Sequence, residues 1–340
     1  LSASGQPLWG EAGIAVCRAP TGQFAPVIAT DGTGGAIIAW HDYRSNAGED
    51  IYAQHLDSSG RAYWQENGLP ICAASGTQWF PTIAGDDRGG AVISWTDGRN
   101  GSADNNIYAQ RVDGSGSQLW PKDGLPVCQS GGNQEKPVIL AVADGFVLAW
   151  NDFRSGNSDI YSQKLSADGL PLWPKDGVPV CSLPFVQENP QLAADGSGGA
   201  IIAWTDARAE AANVFAQRVY RDGRTAWQEN GLPLSKSDAD QKNPTLVKLL
   251  KEEWVVIWED YRAGKPQLFA QKIDSTGASF WPKGGLPIAP APRQELPIAA
   301  ASPTGNIIVA WQDGRYGNYD IYAQKLSGDG STFFGKSGEL

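Results

Sequence analysis

A sixfold repeat of the pattern Trp-x-Asp-x-Arg constrains what this 340-residue chain can fold into. Successive tryptophans of the pattern lie 55, 55, 54, 54 and 53 residues apart. A period this regular over most of a chain indicates a repeat architecture with one structural unit per copy. The six copies are Trp40/Asp42/Arg44, Trp95/Asp97/Arg99, Trp150/Asp152/Arg154, Trp204/Asp206/Arg208, Trp258/Asp260/Arg262 and Trp311/Asp313/Arg315.

Each repeat contains four short segments with the composition of β-strands. In the clearest copy these are residues 189–195, 200–206, 213–219 and 231–234, separated by turns rich in glycine, aspartate and asparagine. The second segment is apolar and β-branched on both faces, as expected of a strand that is covered on both sides. Four strands per repeat and no helical periodicity predict an all-β fold.

The beginning of the chain indicates how the repeats are arranged. Residues 1–17, with Trp9, Gly13 and Cys17, align with the fourth strand of a repeat alone. A leading strand of this kind closes the ring of a propeller by pairing with the third strand of the last repeat. We therefore predict one domain over residues 1–340, a six-bladed β-propeller with four antiparallel strands per blade. Its repeats of about 54 residues run from residue 24 onward, and residues 1–17 close the ring.

Parts of the repeat resemble known propeller families. Asp195-Gly196, Ile201-Ile202 and Asp159-Ile160-Tyr161 are similar to the repeat of the TolB-like six-bladed periplasmic propellers. The Trp-x-Asp-x-Arg and Tyr-Ala-Gln elements look more like repeats of secreted bacterial propellers. The turns at residues 166–169 and 327–330 resemble the Asp-box of proteins such as sialidases. The resemblance implies a bacterial protein located outside the cytoplasm.

Charge and hydropathy restrict the partners and the location. The net charge is −10, whereas nucleic acids and anionic membranes need a basic surface, so neither is an expected partner. No apolar run approaches the roughly 20 residues of a membrane-spanning helix. The sequence starts at Leu1 and shows no signal peptide, which suggests a segment processed during export or cut from a larger chain or assembly. The expected location is extracellular, at the cell surface or periplasmic.

The four cysteines occupy one position of the repeat. Cys17, Cys72, Cys128 and Cys181 are followed at that position by Ser235 and Ala289. Equivalent positions of neighbouring repeats lie beyond the ~7 Å that a disulfide can bridge between Cα atoms. The spacing therefore predicts four free thiols that fill small buried spaces.

The aspartate and arginine of each repeated pattern are predicted to form a structural ion pair. Strand alternation places Trp204, Asp206 and Arg208 on one face, which packs against the next blade. Arginine favours such paired contacts with carboxylates, and a sixfold active site would be unusual. A ring of cation-binding carboxylates is the alternative.

Positions that do not repeat are the candidates for ligand contacts. Twelve of the 14 tryptophans repeat, whereas Trp79 and Trp254 do not, and Trp79 precedes a first strand where an exposed ring could stack on a sugar. The residue between tryptophan and aspartate of the pattern also varies from copy to copy. The ligand-binding residues predicted on these grounds are Trp79, His41, Asn151, Glu259 and Gln312; Thr96 and Thr205 occupy the same varying position. The alternative is that these side chains are merely exposed at the edge of a loop.

No residue is predicted to be catalytic, and no cofactor is expected. A nucleophile elbow and zinc-ligand spacing are absent from the sequence. His55 shares its position with Arg111, Lys164, Arg218, Lys272 and Lys325 and is interpreted as an outward basic site. Calcium is the one metal considered, in the loop at residues 100–106 with Asp104 and Asn105, because carboxylates and carbonyls are its ligands. Acidic loops that only confer solubility are the alternative.

The favoured function is a non-catalytic extracellular or cell-surface module, which binds a protein or glycan or builds an assembly through its varied loops. The alternative is a glycoside-processing, sialidase-like hydrolase. That enzyme would need a Tyr–Glu pair and a non-repeating trio of arginines, and a pair of carboxylates on different blades would not be visible in the sequence.

Overall fold

The computed structural model describes residues 6–45, 48–335 and 338–339, and this part of the chain folds into strands and turns without a helix. The strands form six antiparallel sheets, named blades 1 to 6 in chain order. Five sheets have four strands and the sixth has three. The predicted all-β fold with six repeats of short strands is confirmed.

The first three blades share one strand pattern. Blade 1 consists of β1 (Gln23–Thr30), β2 (Ala36–Asp42), β3 (Asp50–Leu56) and β4 (Leu69–Cys72). Blade 2 consists of β5 (Gln78–Gly85), β6 (Ala91–Asp97), β7 (Asn106–Val112) and β8 (Leu125–Cys128). Blade 3 consists of β9 (Gln134–Val142), β10 (Gly145–Asp152), β11 (Asp159–Leu165) and β12 (Val178–Cys181).

The last three blades follow the same order. Blade 4 consists of β13 (Gln187–Ala194), β14 (Ala200–Asp206), β15 (Asn213–Val219) and β16 (Leu232–Pro233). Blade 5 consists of β17 (Gln241–Lys248), β18 (Glu253–Asp260), β19 (Gln267–Asp274) and β20 (Leu286–Pro287). Blade 6 consists of β21 (Gln294–Ala301), β22 (Ile307–Asp313) and β23 (Asp320–Leu326).

The chain divides into two compact units. The first comprises Leu1–Arg154 and Gln163–Gly177, and the second comprises Ser155–Ser162 and Val178–Leu340. In the first unit, Ile37 and Ile51 of blade 1 share a buried core with Ile93 and Trp95 of blade 2. In the second unit, Val255, Ile257 and Leu268 of blade 5 share a core with residues of blade 6 that include Val309 and Trp311. The second strand of blade 2, β6, is buried on both faces because it packs between blades 1 and 3 within the first unit.

Every first strand carries a bulge near its start. The register with the second strand shifts after the second residue, and the third residue has a positive φ of 48 to 56°. The bulged residues are Ala25, Phe80, Lys136, Asn189, Asn243 and Leu296. A proline follows each of them, and proline is tolerated there because a bulge interrupts the hydrogen-bond ladder. The bulge turns the start of each first strand away from regular pairing.

The predicted closing strand is not seen among the described residues. Residues 6–22 contain no strand, and residues 1–5 lie outside the described part of the chain. Trp9 Nε1 donates to Ser58 O of blade 1 at 3.1 Å. Beside β23, Ala323 exchanges backbone hydrogen bonds of 2.8 and 2.9 Å with Glu339. Closure of the ring by residues 1–17 therefore stays a prediction.

Candidate functional site

The repeated aspartate and arginine of each blade form an ion pair on a buried carboxylate. Arginine Nη2 lies 2.5–2.7 Å from aspartate Oδ2 in all six copies, and each aspartate side chain is fully buried. The indole Nε1 of the repeated tryptophan donates to the same carboxylate at 2.7–3.2 Å. Burial alone would raise the pKa of Asp42, but hydrogen bonds from Arg44 and Trp40 lower it below the ordinary value. Each carboxylate thus pairs with the arginine of its own blade. The six aspartates therefore do not form a ring of unpaired carboxylates that could bind cations.

Arg262 of blade 5 is the most exposed of the six repeated arginines. Its side chain is 36% exposed, whereas the other five repeated arginines are 11–21% exposed. Arg262 still pairs with Asp260 at 2.5 Å, so the predicted ion pair is present, but its arginine faces solvent.

The exposure of Arg262 has a local cause. In five blades the repeated arginine donates through Nη2 to one backbone oxygen at 2.7–2.8 Å, and in blade 5 that oxygen belongs to Gly284. The residues that supply the oxygen in blades 1 to 4 all carry a side chain: Asn67, Asp123, Asp176 and Asn230. A Cβ atom on Gly284 would lie 3.5 Å from Arg262 Nη1, so a covering side chain is missing there. Asp260 also accepts from Gln241 Nε2 at 2.7 Å and therefore depends less on Arg262.

The four cysteines complete this repeated network. They are free thiols, as the repeat predicts. The Sγ atoms of Cys17, Cys72, Cys128 and Cys181 lie 3.2–3.4 Å from Nη2 of the next repeated arginine. Burial raises the pKa of Cys72, Cys128 and Cys181 to about 12, so these thiols stay protonated at neutral pH and are poor nucleophiles.

A second repeated ion pair corrects the interpretation of His55 as an outward basic site. The side chain is 6% exposed, and its Nε2 lies 2.9 Å from Asp31 Oδ2. Four further blades carry the same pair, Asp86–Arg111, Asp144–Lys164, Asp195–Arg218 and Glu253–Lys272, at 2.6–3.3 Å. An acidic residue accompanies the base in each of these repeats, in the first turn of blades 1 to 4 and at the start of the second strand of blade 5, and this correspondence is the sequence signal for the pair.

The varying position between tryptophan and aspartate is mostly buried. Thr96 is 0%, Asn151 4%, Thr205 3% and Glu259 2% exposed. Thr96 Oγ1 accepts the backbone N–H of Lys136 at 3.0 Å, and Glu259 Oε1 accepts that of Leu296 at 2.7 Å. Both acceptors thus hold the bulged residue of the next blade. The alternative of an exposed loop edge is therefore wrong for these four residues.

Each varying residue faces a second varying residue across the sheet. The partner is the second residue of the first strand, immediately before the bulge. The six pairs are Phe24–His41, Trp79–Thr96, Glu135–Asn151, Glu188–Thr205, Lys242–Glu259 and Glu295–Gln312. The predicted residues Trp79, His41, Asn151, Glu259 and Gln312 thus occupy one kind of location in five different blades. The sequence analysis missed Glu295, although it follows a glutamine that starts the first strand of every blade.

In the second unit this location gathers acidic and phenolic side chains from blades 5 and 6. The Tyr261 hydroxyl donates to Glu259 Oε2 at 3.1 Å, and the Tyr319 hydroxyl donates to Glu295 Oε1 at 2.8 Å. Burial, Glu259 and Glu295 raise the pKa of Tyr261 to about 12. We call Glu259, Tyr261, Glu295 and Tyr319 the acidic cluster.

Two basic side chains border the acidic cluster. Arg293 Nη2 lies 3.4 Å from the Tyr319 hydroxyl, and its guanidinium carbon lies 5.1 Å from the centre of that ring. Lys242, opposite Glu259 in the sheet, pairs with Asp240 at 2.6 Å. Glu259 is buried with both oxygens accepting hydrogen bonds, whereas Tyr261 and Glu295 are partly exposed. Solvent-accessible groups beside a fixed buried carboxylate can exchange protons with a bound molecule.

In blades 1 and 2 of the first unit the same location is aromatic. Trp79 is half-buried, and its ring packs so closely on Gly98 that a Cβ atom there would lie 3.0 Å from the ring. His41 lies 6.1 Å from Tyr43 and 5.8 Å from Phe24, measured between ring centres. Burial lowers the pKa of His41, although Glu49 acts in the opposite direction.

The structure gives no support to calcium in the loop at residues 100–106. Asn105 is buried, and its side-chain amide donates to Glu135 Oε1 at 3.2 Å, away from Asp104. Within residues 6–45, 48–335 and 338–339, no three His, Cys, Asp or Glu side chains are grouped to hold a metal ion. The calcium interpretation remains a prediction. No helix in the described part of the chain is long and apolar enough to span a bilayer.

A recess of about 430 Å³ in the second unit is a weaker candidate than the acidic cluster. It is lined by Asp206, Arg208, Phe215 and Ser235, among others. Asp206 and Arg208 belong to the repeated ion pair, and Arg208 also lies over the Phe215 ring at 3.9 Å. Because Asp206 and Arg208 already bind one another, neither offers a ligand a free charge.

Comparisons with known proteins support the fold. No protein-family model and no curated protein sequence matches the chain. Among solved structures, it is similar to the family-93 α-L-arabinofuranosidase of Fusarium graminearum in complex with arabinobiose, with 11% identity over 89% of this chain and 91% of that chain and a TM-score of 0.53. The α-L-arabinanase of Penicillium chrysogenum complexed with arabinobiose has 13% identity over 90% and 93% and a TM-score of 0.51. A protein of unknown function from Dyadobacter fermentans has 12% identity over 89% and 93% and a TM-score of 0.52.

At these identities the likeness shows the fold alone, and together with the six sheets it defines a six-bladed β-propeller. No match supports the narrower resemblance to TolB-like repeats. Two of the three similar structures are glycosidases, which contradicts the favoured sequence interpretation of a non-catalytic binding module. The comparisons favour its alternative, a glycoside hydrolase.

Proposed function

We propose that this protein is a glycoside hydrolase whose active site is the acidic cluster of blades 5 and 6. The observation that carries the proposal is that the buried carboxylate of Glu259 accepts from the partly exposed Tyr261 hydroxyl and from the backbone N–H of Leu296, the residue that follows Glu295. A Tyr–Glu pair is one of the two features that the hydrolase alternative required, the other being a trio of arginines. Structural ion pairs in this chain recur from blade to blade, whereas the combination of Glu259, Tyr261 and Glu295 occurs once.

In the proposed reaction Tyr261 is the nucleophile and Glu259 its general base. The Tyr261 oxygen attacks the anomeric carbon while its proton passes to Glu259, and Glu295 donates a proton to the leaving glycosidic oxygen. Water then attacks the glycosyl-tyrosine, Glu295 accepts a proton from that water, and Glu259 returns the proton to Tyr261. The raised pKa of Tyr261 fits this sequence, because the phenol keeps its proton until the base removes it during attack.

The proposed substrate is a neutral glycan outside the cytoplasm. The contacts of the acidic cluster include one arginine, Arg293, rather than the trio of a sialidase-like site. An anionic sugar would also meet two carboxylates. The arabinobiose bound by two proteins of the same fold makes arabinose-containing glycans the first substrates to test.

The test is hydrolysis by the purified chain of arabinan, xylan, mixed-linkage β-glucan and a set of aryl glycosides that includes an α-L-arabinofuranoside and a sialoside. We expect release of sugar from at least one neutral substrate, and a loss of about 100-fold or more in kcat/KM for Glu295→Gln. Asp222→Asn is the control, because Asp222 lies on an exposed turn in a pair with Arg224. A wild-type protein that cleaves none of these substrates, or cleaves the sialoside alone, would refute the proposal.

A further inference from the structure

We infer that blades 1 and 2 hold a second, non-catalytic glycan-binding site formed by Phe24, His41, Tyr43, Trp79 and Phe80. These five side chains are called the aromatic cluster. The inference rests on the proposed function only for the class of ligand. Its geometry lies entirely within the first unit and involves none of the residues of the acidic cluster.

Blade 1 contributes three rings in mutual contact. Phe24 lies 5.5 Å from Tyr43 in an edge-to-face arrangement, and both rings contact His41. The Tyr43 hydroxyl donates to Glu49 Oε1. Phe24 is 53% and Tyr43 42% exposed, although edge-to-face packing fixes both rings. Blade 1 thus presents an apolar surface with a carboxylate at its edge.

Blade 2 contributes Trp79 and Phe80. Their ring centres lie 6.4 Å apart at an angle of 62°. Phe80 is the bulged residue of its strand, with a φ of 51°, and it is 44% exposed. A positive φ is uncommon for a bulky residue, so the bulge presents this ring to solvent at a cost in backbone strain.

A backbone hydrogen bond connects the two contributions. The backbone N–H of Gln78, next to Trp79, donates to the backbone oxygen of Glu49 at 2.7 Å. Glu49 therefore links the Tyr43 hydroxyl of blade 1 to the start of the first strand of blade 2. The aromatic cluster thus consists of two groups of rings that are joined through Glu49.

This composition fits a sugar better than an apolar protein surface. A pyranose or furanose ring presents C–H groups on one face and hydroxyls at its edge, which match aromatic faces beside the hydrogen-bond acceptor Glu49. In blades 3 to 6 the position of Phe24 and Trp79 is charged, with Glu135, Glu188, Lys242 and Glu295. Blades 1 and 2 therefore carry an aromatic ring at the location where the other four blades carry a charged side chain.

The test measures binding in the full chain carrying Glu295→Gln, so that a glycan is not consumed. Arabinan, xylan and mixed-linkage β-glucan are the probes, measured by affinity electrophoresis and isothermal titration calorimetry. The double variant Phe24→Ala/Phe80→Ala should bind the preferred glycan at least tenfold more weakly. Both rings are exposed, so folding is expected to survive, and circular dichroism with a thermal melt verifies this.

Tyr63→Ala is the matched control, since Tyr63 is a 66% exposed ring of the same repeat outside the cluster. Its affinity should equal that of the parent protein. The inference is overturned if the parent binds none of the three glycans, if the double variant binds as tightly as the parent, or if Tyr63→Ala is weakened equally. Hydrolysis of aryl glycosides by the wild-type chain is measured separately, so failure of the proposed enzyme activity is distinguishable from failure of this site.

Discussion

Blades 1 and 5 carry a tyrosine at the same position of the repeat and use it differently. In blade 1, Tyr43 packs against Phe24 and His41, and its hydroxyl reaches the loop residue Glu49. In blade 5, Tyr261 donates to Glu259, which stands at the position of His41 and also holds the backbone N–H of Leu296. The facing pair Phe24–His41 of blade 1 is replaced by Lys242–Glu259 in blade 5. These two changes turn a stacking surface into a phenol that is hydrogen-bonded to a carboxylate. The repeat thus places side chains at the same location in every blade, and the residues that differ between blades determine the chemistry at that location.

Both regions rest on the repeated ion pairs, so loss of one pair should have the largest effect on stability. Arg208→Ala leaves the carboxylate of Asp206 buried without its main partner, and we expect a loss of about 3–5 kcal/mol in the free energy of unfolding. The control is Arg224→Ala, whose pair with Asp222 is exposed, so solvent screens it and the stability should change little. Urea unfolding measures both variants. Equal, small losses would show that the repeated pair does not hold the scaffold.

The position opposite the bulge should be catalytic in blade 5 alone. Glu259→Gln keeps an oxygen for the N–H of Leu296 but removes the base beside Tyr261, so we expect kcat to fall about 100-fold while the melting temperature changes little. Steady-state hydrolysis of the best substrate measures this effect. If Glu259→Gln kept the wild-type kcat, Glu259 would not be the base that acts on Tyr261.

The equivalent change in blade 2 should lower the stability of the protein and leave its activity unchanged. Thr96→Val preserves the shape of the side chain and removes the acceptor of the Lys136 N–H, which costs about 1–3 kcal/mol because a buried donor is left unsatisfied. Hydrolysis at a temperature well below the melting point should be unchanged. Loss of activity without loss of stability would mean that blade 2 takes part in the chemistry.

The smallest expected effect concerns the charge of His41. Burial lowers the pKa of this side chain in the folded protein, so the unfolded chain binds a proton more readily. This contribution therefore destabilises the folded state as the pH falls through the ordinary histidine value of 6.5, and it is absent at higher pH. His41→Gln should lose less stability than the wild type between pH 7 and about pH 5, measured by thermal melts. An identical pH dependence in both proteins would contradict a buried, neutral His41.

The fold was predictable because its determinants repeat. The six Trp-x-Asp-x-Arg patterns, the prolines after the bulges and the common cysteine position all gave the same strand order, and the described residues confirm it. The pairing of His55 with Asp31 was missed because the histidine was compared with the other bases and not with the acid in the first turn of its own repeat. The exposure of Arg262 was missed because it depends on Gly284, which is distant from the repeated pattern in sequence.

The candidate site was only half predictable. Glu259 and Gln312 were recognised because they vary between fixed neighbours in the second strand. Glu295 and Tyr319 come from a different strand and a loop, and a sequence does not show which residue of one strand faces which residue of the next. The bulge determines which residues of the first and second strands face each other. The bulged residue has a positive φ in every blade, but it is of no common type, as Lys136 and Leu296 show, so its residue type does not mark the bulge in the sequence. The fixed glutamine before each varying residue and the proline after each bulged residue were the available signals.

The central claim is that Tyr261 performs glycoside hydrolysis, and Tyr261→Phe tests it most directly. This variant keeps the ring and removes only the oxygen that lies 3.1 Å from Glu259. Hydrolysis of the best aryl glycoside is compared for the wild type, Tyr261→Phe and the control Tyr63→Phe, with the melting temperature of each. We predict a loss of about 100-fold or more in kcat/KM for Tyr261→Phe alone, at an unchanged melting temperature. Wild-type activity in Tyr261→Phe would contradict the assignment of the nucleophile and with it the account of blade 5.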